Sequence, residues 1–440
     1  MDYPFWEVPF LSGGIVIALI AVVHVFVSHF AVGGALFLAL SERKALREEN
    51  RELLSYLRGH SRFFILVTLV FGVVTGVGIW FAIGLAHPAG TSLLIHSFVW
   101  AWAMEWCVFL VEIAAGLIYY YGWDRLEPRT HLWIAWIYAV AAYLSLVIIN
   151  GILAFMLTPG RWIQTGNFWH GLINPSYAPS LLLRTGASIS LAGLYALLTA
   201  SVIHHPGARG RLVRHAARWV LAGFGIMPLA GIWYFLVIPP EGRLLAFGGA
   251  PAVTIFLALS VGISAFILVF SWLTAYRLPE RFSPALAVLF LLVGLAVTAS
   301  AEWVREAVRK PFIVYGVMYS NGIRPGQVDE LSRDGLLPRA RWVTVHEVTG
   351  SNTLEAGAEI FRIQCASCHT TNGYNAIRPL IAGWRKSYIA DQLRHLNELK
   401  GIMPPFAGTD RERWALAHYL ASLWGFSLED QPILRQEASR

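Results

Sequence analysis

The sequence predicts an all-α protein: a polytopic membrane bundle of about eight helices, followed by a small C-terminal helical domain. Three observations predict it. Hydrophobic residues make up 56% of the chain and charged residues 14%, with a mean hydropathy of +0.55; a soluble globule carries a charged fraction nearer a quarter. Apolar runs long enough to cross a bilayer core of roughly 30 Å recur along the first 305 residues. The last quarter then changes to amphipathic segments of helical period.

The expected spans run about 13–40, 63–86, 93–121, 132–157, 180–203, 217–238, 252–275 and 284–305. The links between them alternate in charge. "SERKALREENRELLSYLRGHSR" carries Arg43, Lys44, Arg47, Arg51, Arg58 and Arg62, and "HHPGARGRLVRHAAR" carries Arg209, Arg211, Arg214 and Arg218. The other two links on that side add Arg125, Arg129, Arg277 and Arg281, whereas the alternate links hold at most one basic residue each. Basic links stay cytoplasmic, so an even number of spans returns both termini to the outer face. The net charge of +7 thus reads as a topology signal, and nucleic acid is not expected as a partner. No cleavable signal peptide is expected, because the first apolar run is too long for one.

Residues 1–320 form the expected membrane part, 321–350 a polar connector containing "RPGQVDELSRDGLLPR", and 351–440 the small domain. In that domain "TLEAGAEIFRIQCASCH" is an amphipathic helix leading into a Cys-x-x-Cys-His motif, and "DRERWALAHYLASLW" is a closing helix. Two cysteines so spaced, with histidine next, form the attachment site of a covalent haem. Cys365 and Cys368 are the expected thioether positions and His369 an axial ligand. Met403, about 35 residues later in the proline-stiffened "LKGIMPPF", is the expected second axial ligand. Zinc is the rival reading, but it wants four ligands and three are at hand. Cys107, inside an apolar run, reads as a packed free thiol. The tail resembles class I cytochrome c domains, which implies one covalent haem c that carries electrons and binds no substrate. Attachment of such a haem takes place outside the cytoplasm, in agreement with the charge pattern.

Ionisable residues inside spans are functional suspects. His24 and His29 lie in the first span, and Glu105 and Glu112 lie seven apart on one stripe of the third. Glu302, Glu306 and Arg309 share one face at the end of the eighth. "LIAVVHVFVSHFAVGGALFLALSER" and "FLVEIAAGLIYYYGWDRL" resemble the first and third helices of the catalytic subunit of cytochrome bd quinol oxidases. "EAVRKPF" is similar to that family's Glu-x-x-Arg-Gln-Pro-Trp signature, with Lys310 and Phe312 as departures.

The resemblance implies that His24 ligates the haem at which oxygen is reduced, that Glu306 ligates a neighbouring high-spin b haem, and that Arg309 pairs with a haem propionate. It implies that Glu112 belongs to a proton-delivery region, with Glu105 one position away from the family's other glutamate, which aligns with Met104. One or two non-covalent haems, of b or d type, are implied in the membrane part. The departures concern the low-spin b haem: Arg184 stands where the family has its histidine ligand, the 251–275 span contains no methionine, and the outer loop 239–251 is short where the family has a quinol loop.

These features together suggest a terminal oxidoreductase of the bacterial cytoplasmic (inner) membrane. It would take electrons from a periplasmic carrier or another c-type cytochrome through haem c and reduce O2 or NO, beside a second membrane subunit of bd type. Arg184 is then expected to pair with a propionate or a glutamate. The alternatives are a non-catalytic electron relay within a larger respiratory complex and, less favoured without a signalling domain, a redox or gas sensor.

Overall fold

The computed structural model describes residues 3–4, 6–399 and 401–424. Eight helices are long and apolar enough to cross a membrane: α1 Gly13–Arg47, α2 Arg51–Ala86, α3 Val99–Gly122, α4 Pro128–Phe155, α5 Tyr177–Ser201, α6 Pro206–Val237, α7 Pro251–Arg277 and α8 Pro284–Ala307. The sequence-based spans agree in number and order. Most helices are longer than these, by polar turns at one end or the other, whereas α3 starts at Val99 rather than about 93, because Pro88–Ser97 forms a separate helix. Four start on proline, at Pro128, Pro206, Pro251 and Pro284, where the missing N–H has no helical partner to lose. Asn50 caps α2 by accepting from Leu53 N at 2.9 Å, and Ser283 caps α8 by accepting from Leu286 N at 3.3 Å.

The chain divides into two compact units, one of residues 18–81 and 92–309, the other of residues 1–17, 82–91 and 310–440. Small residues let the helices of the first unit touch, as membrane packing requires. A Cβ on Gly33 of α1 would lie 1.9 Å from Ser188 O of α5, and one on Gly223 of α6 would lie 2.4 Å from Gly186 O of α5. α5 is the most enclosed span, 61% buried over its apolar window against 11–33% for the others.

In the second unit, α9 (Thr353–Gln364), α10 (Lys386–Arg394) and α11 (Asp410–Ser422) form the tail domain. Gly357 lets α9 cross α11, since a Cβ there would sit 2.2 Å from Ala415 O. Phe361 and Tyr419 pack beside the crossing at 5.7 Å between ring centroids. A short hairpin pairs β1 (Phe312–Val314) with β2 (Met318–Tyr319) antiparallel. Residues 425–440 of the expected 351–440 domain lie outside the described residues.

The stretch 321–350 is less of a tether than its polarity suggests. Ile323, Leu331, Leu336, Leu337, Ala340 and Val345 enter the same core as α9 and α11. Glu412, 3% exposed, accepts from Leu336 N at 2.8 Å, Leu337 N at 2.7 Å and Thr409 N at 2.8 Å. Glu412→Ala strands these donors, each worth about 1–3 kcal/mol when left unpaired. We expect a loss of about 3 kcal/mol or more, read from denaturant unfolding of the intact protein followed by haem c absorbance. Glu412→Gln keeps one acceptor and loses less.

Candidate functional site

The tail motif is a helix end followed by a tight turn. Cys365 N bonds back to Phe361 O at 2.8 Å, and the amides of Cys368 and His369 both donate to Cys365 O, at 3.0 and 2.8 Å. That turn brings both cysteines to the end of α9, with His369 directly after them. His369 Nδ1 lies 3.0 Å from Asn375 O. A backbone carbonyl only accepts, so Nδ1 carries the hydrogen and the ring's lone pair sits on Nε2, the form that ligates iron. Both cysteines are free thiols. Burial, with the Cys368 thiol beside it, pushes Cys365 up to about 12, a neutral thiol in the metal-free protein, and among the described residues no group of three or more His, Cys, Asp or Glu gathers as a zinc site needs. The donor set fits a haem c.

Sequence reasoning missed what holds the Met403 loop. Gln364, the residue before Cys365, donates to Ala407 O at 2.7 Å and accepts from Ala407 N at 3.0 Å. This two-way amide clasp ties the loop four residues after Met403 to the helix that presents the cysteines. The same reasoning missed the N-terminal segment. Phe10 O accepts from Tyr374 N at 2.9 Å, and a Cβ on Gly373 would lie 2.2 Å from that oxygen. Glu7 pairs with Arg362 at 3.4 Å. A cavity of about 70 Å³ beside the turn is lined by Trp6, Glu7, Phe361, Ser367, His369 and Thr370, among others.

In the membrane unit, His24 Nδ1 lies 3.2 Å from Thr75 Oγ1 of α2. Thr75 already donates to Phe71 O at 2.7 Å, so it accepts from His24. His24 Nε2 therefore holds the lone pair, oriented as outer-shell bonds orient metal-binding histidines. Gly76, one residue on, keeps the ring accessible: a Cβ there would lie 3.3 Å from His24 Cε1. His29 Nδ1 donates to Val25 O of its own helix at 2.8 Å, which likewise leaves the lone pair on Nε2.

Glu306, in the last turn of α8, and Arg309, two residues past its end, come together as an ion pair. Arg309, 3% exposed, also points Nη1 at Met156 Sδ at 3.1 Å, while its Nε is buried without a hydrogen-bond partner among the described residues. An orphaned guanidinium N–H fits a haem propionate, which the protein alone does not supply. Glu105 accepts from Ser145 Oγ of α4 at 3.1 Å, with Glu112 seven residues along the same stripe. Of the two partners expected for Arg184, the glutamate is present: Glu302 at 3.8 Å, itself bonded to Arg305 at 2.8 Å.

Residues 14–234 match the family described as cytochrome bd terminal oxidase subunit I, a stretch that includes His24, Glu105 and Glu112 and ends before Glu306. Residues 352–420 match cytochrome c oxidase, cbb3-type, subunit III. No curated protein matches the chain. Among solved structures, a bd oxidase from Geobacillus thermodenitrificans is 19% identical with a TM-score of 0.59, over 69% of this chain and 88% of that one. That likeness is one of fold. With the profile match over half its length, the chain belongs to the cytochrome bd terminal oxidase subunit I family, and it carries a cytochrome c domain at its C-terminal end.

Proposed function

We propose that this respiratory haem protein is the catalytic subunit of a terminal reductase fed through its own cytochrome c. Cys365, Cys368, His369 and Met403 hold the covalent haem c. His24 and Glu306 are the ligands offered to one or two non-covalent haems of b or d type, with Arg309 for a propionate and Glu112 and Glu105 for protons. These groups supply one-electron chemistry, and the overall reaction joins one O2, four electrons and four protons into two waters. NO is a second candidate substrate. The basic links face the cytoplasm, the tail domain faces the periplasm, and a periplasmic carrier or another c-type cytochrome delivers electrons. A second membrane subunit of bd type completes the assembly.

The observation that carries this reading is the His24–Thr75 bond, which presents an imidazole lone pair inside the bundle. A haem held by that imidazole would supply the one-electron chemistry and the iron for a diatomic gas. One feature favours a relay within a larger complex instead: Glu306 is already engaged by Arg309, a pairing that competes with ligation. Carbon monoxide separates the two. Added to the reduced purified protein, it is expected to shift the spectrum of a non-covalent haem, and a wholly unresponsive spectrum would demote the reductase to the relay.

A further inference from the structure

His29 is the second imidazole of α1, and the haem and proton groups named above do not include it. It follows His24 by five residues, which places it about 140° around the helix and about 7.5 Å along it. His24 meets Thr75 of α2, so His29 has other neighbours. Arg184 of α5 and Glu302 of α8 act on its ring electrostatically. Its Nδ1–H is held by Val25 O at 2.8 Å, and the lone pair of Nε2 has no hydrogen-bond partner among the described residues. Yet His29 is only 5% exposed.

The groups around it are incomplete in the same way. Arg184 is 8% exposed, and its ion pair with Glu302 spans 3.8 Å, beyond hydrogen-bond reach. Its guanidinium makes no hydrogen bond among the described residues. Glu302 is satisfied from another side, by Arg305 Nε at 2.8 Å. Tyr234 of α6 feels Arg184, Arg305 and Arg309 electrostatically, and its hydroxyl donates to none of the described residues. Buried polar groups are hydrogen-bonded almost without exception. An imidazole lone pair, a guanidinium and a phenol left open together therefore describe what would bind here: a group that accepts an electron pair at one point and carries an anion at another. A haem does both, through its iron and its propionates. His60 makes the contrast. Its Nε2 is buried and unpartnered too, but the rings of Phe37, Tyr56 and Phe63 wall it in, and no charged group acts on it among the described residues.

We propose that His29 is the axial ligand of a second non-covalent haem, with Arg184 and Tyr234 donating to one of its propionates. The Val25 carbonyl fixes the ring as outer-shell acceptors fix metal-binding histidines. The iron is a different one from that assigned to His24, because the two imidazoles leave α1 on different sides. Glu306 is the other ligand offered to a membrane haem, but Arg309 holds its carboxylate, and His29 Nε2 has no such competitor. Two non-covalent haems are then the expected content of the membrane unit. The assignment rests on the haem-protein part of the proposed function and not on the reduction of a gas.

The test uses the purified holoprotein, with non-covalent haem extracted by acidic acetone and counted per chain as the pyridine haemochrome. His29→Ala is expected to lose one of the two non-covalent haems, while haem c and the carbon monoxide response assigned to His24 stay as in the wild type. Imidazole and haemin added to the variant are expected to restore the lost haem and its absorption bands, which a packing role for His29 does not predict. His29→Met keeps a ligand of another kind, and the midpoint potential of that haem is expected to rise. Equal non-covalent haem in the wild type and His29→Ala would overturn the assignment. A loss that imidazole does not restore, with no shift of potential in His29→Met, makes His29 a packing residue and overturns it as well. Carbon monoxide keeps the two readings apart. A wild type that ignores the gas but shows the imidazole-restored haem sinks the reductase and leaves His29 a ligand. A responsive wild type with an indifferent His29→Ala does the reverse.

Discussion

The double substitution Cys365→Ala and Cys368→Ala is expected to remove all covalent haem and to cut oxygen uptake from a c-type donor by more than about 100-fold. Spreading the readout over two assays makes the cause visible. Haem staining of the denatured protein reports the thioether bonds, and solvent extraction reports the non-covalent haems, which are expected to remain. They remain because the membrane unit has its own core, built around Phe30, Phe37, Tyr138 and Ala217, separate from the cluster of Ile360, Leu416 and Leu337 in the tail. The fold-change corresponds to about 2.7 kcal/mol or more in the rate-limiting barrier, and it follows from deleting the only electron port assigned to this chain. Met403→Ala is a gentler companion. Covalent haem stays, the midpoint potential falls because a thioether ligand had raised it, and carbon monoxide gains access to haem c. An unchanged potential would remove Met403 from the ligand set.

His24→Ala has the second large effect. Its imidazole presents a lone pair oriented by Thr75, and its loss is expected to abolish the carbon monoxide-responsive spectrum and one non-covalent haem per chain. Haem c content stays unchanged in the same sample. Thr75→Val tests the geometry rather than the ligand. It removes the acceptor that holds Nδ1–H, and outer-shell losses of this kind cost about 10–100-fold in affinity. If His24→Ala keeps its full complement of non-covalent haem, the assignment of His24 fails whatever the activity shows.

Much of this protein could be read directly from its residues, for physical reasons. A bilayer leaves backbone polar groups no partner but one another, so eight apolar runs mean eight helices, and α1–α8 follow. The Cys-x-x-Cys-His motif is local, and its turn is built from bonds within a few residues of Cys365. What could not be read is long-range. Gln364 clasps a backbone 43 residues away, Glu412 caps amides 75 and 76 residues upstream, and Glu42 meets a histidine 89 residues on. No periodicity announces such pairs. The stretch 321–350 looked like a linker because its polar residues outnumber the few leucines that anchor it.

Among the ion pairs described for Arg184 and the end of α8, Arg184, Arg305 and Arg309 stand against Glu302 and Glu306, three cations for two anions in surroundings that screen poorly. The odd cation is a standing demand for one more anion inside this unit, and the haem propionate proposed for Arg309 is the charge that would meet it.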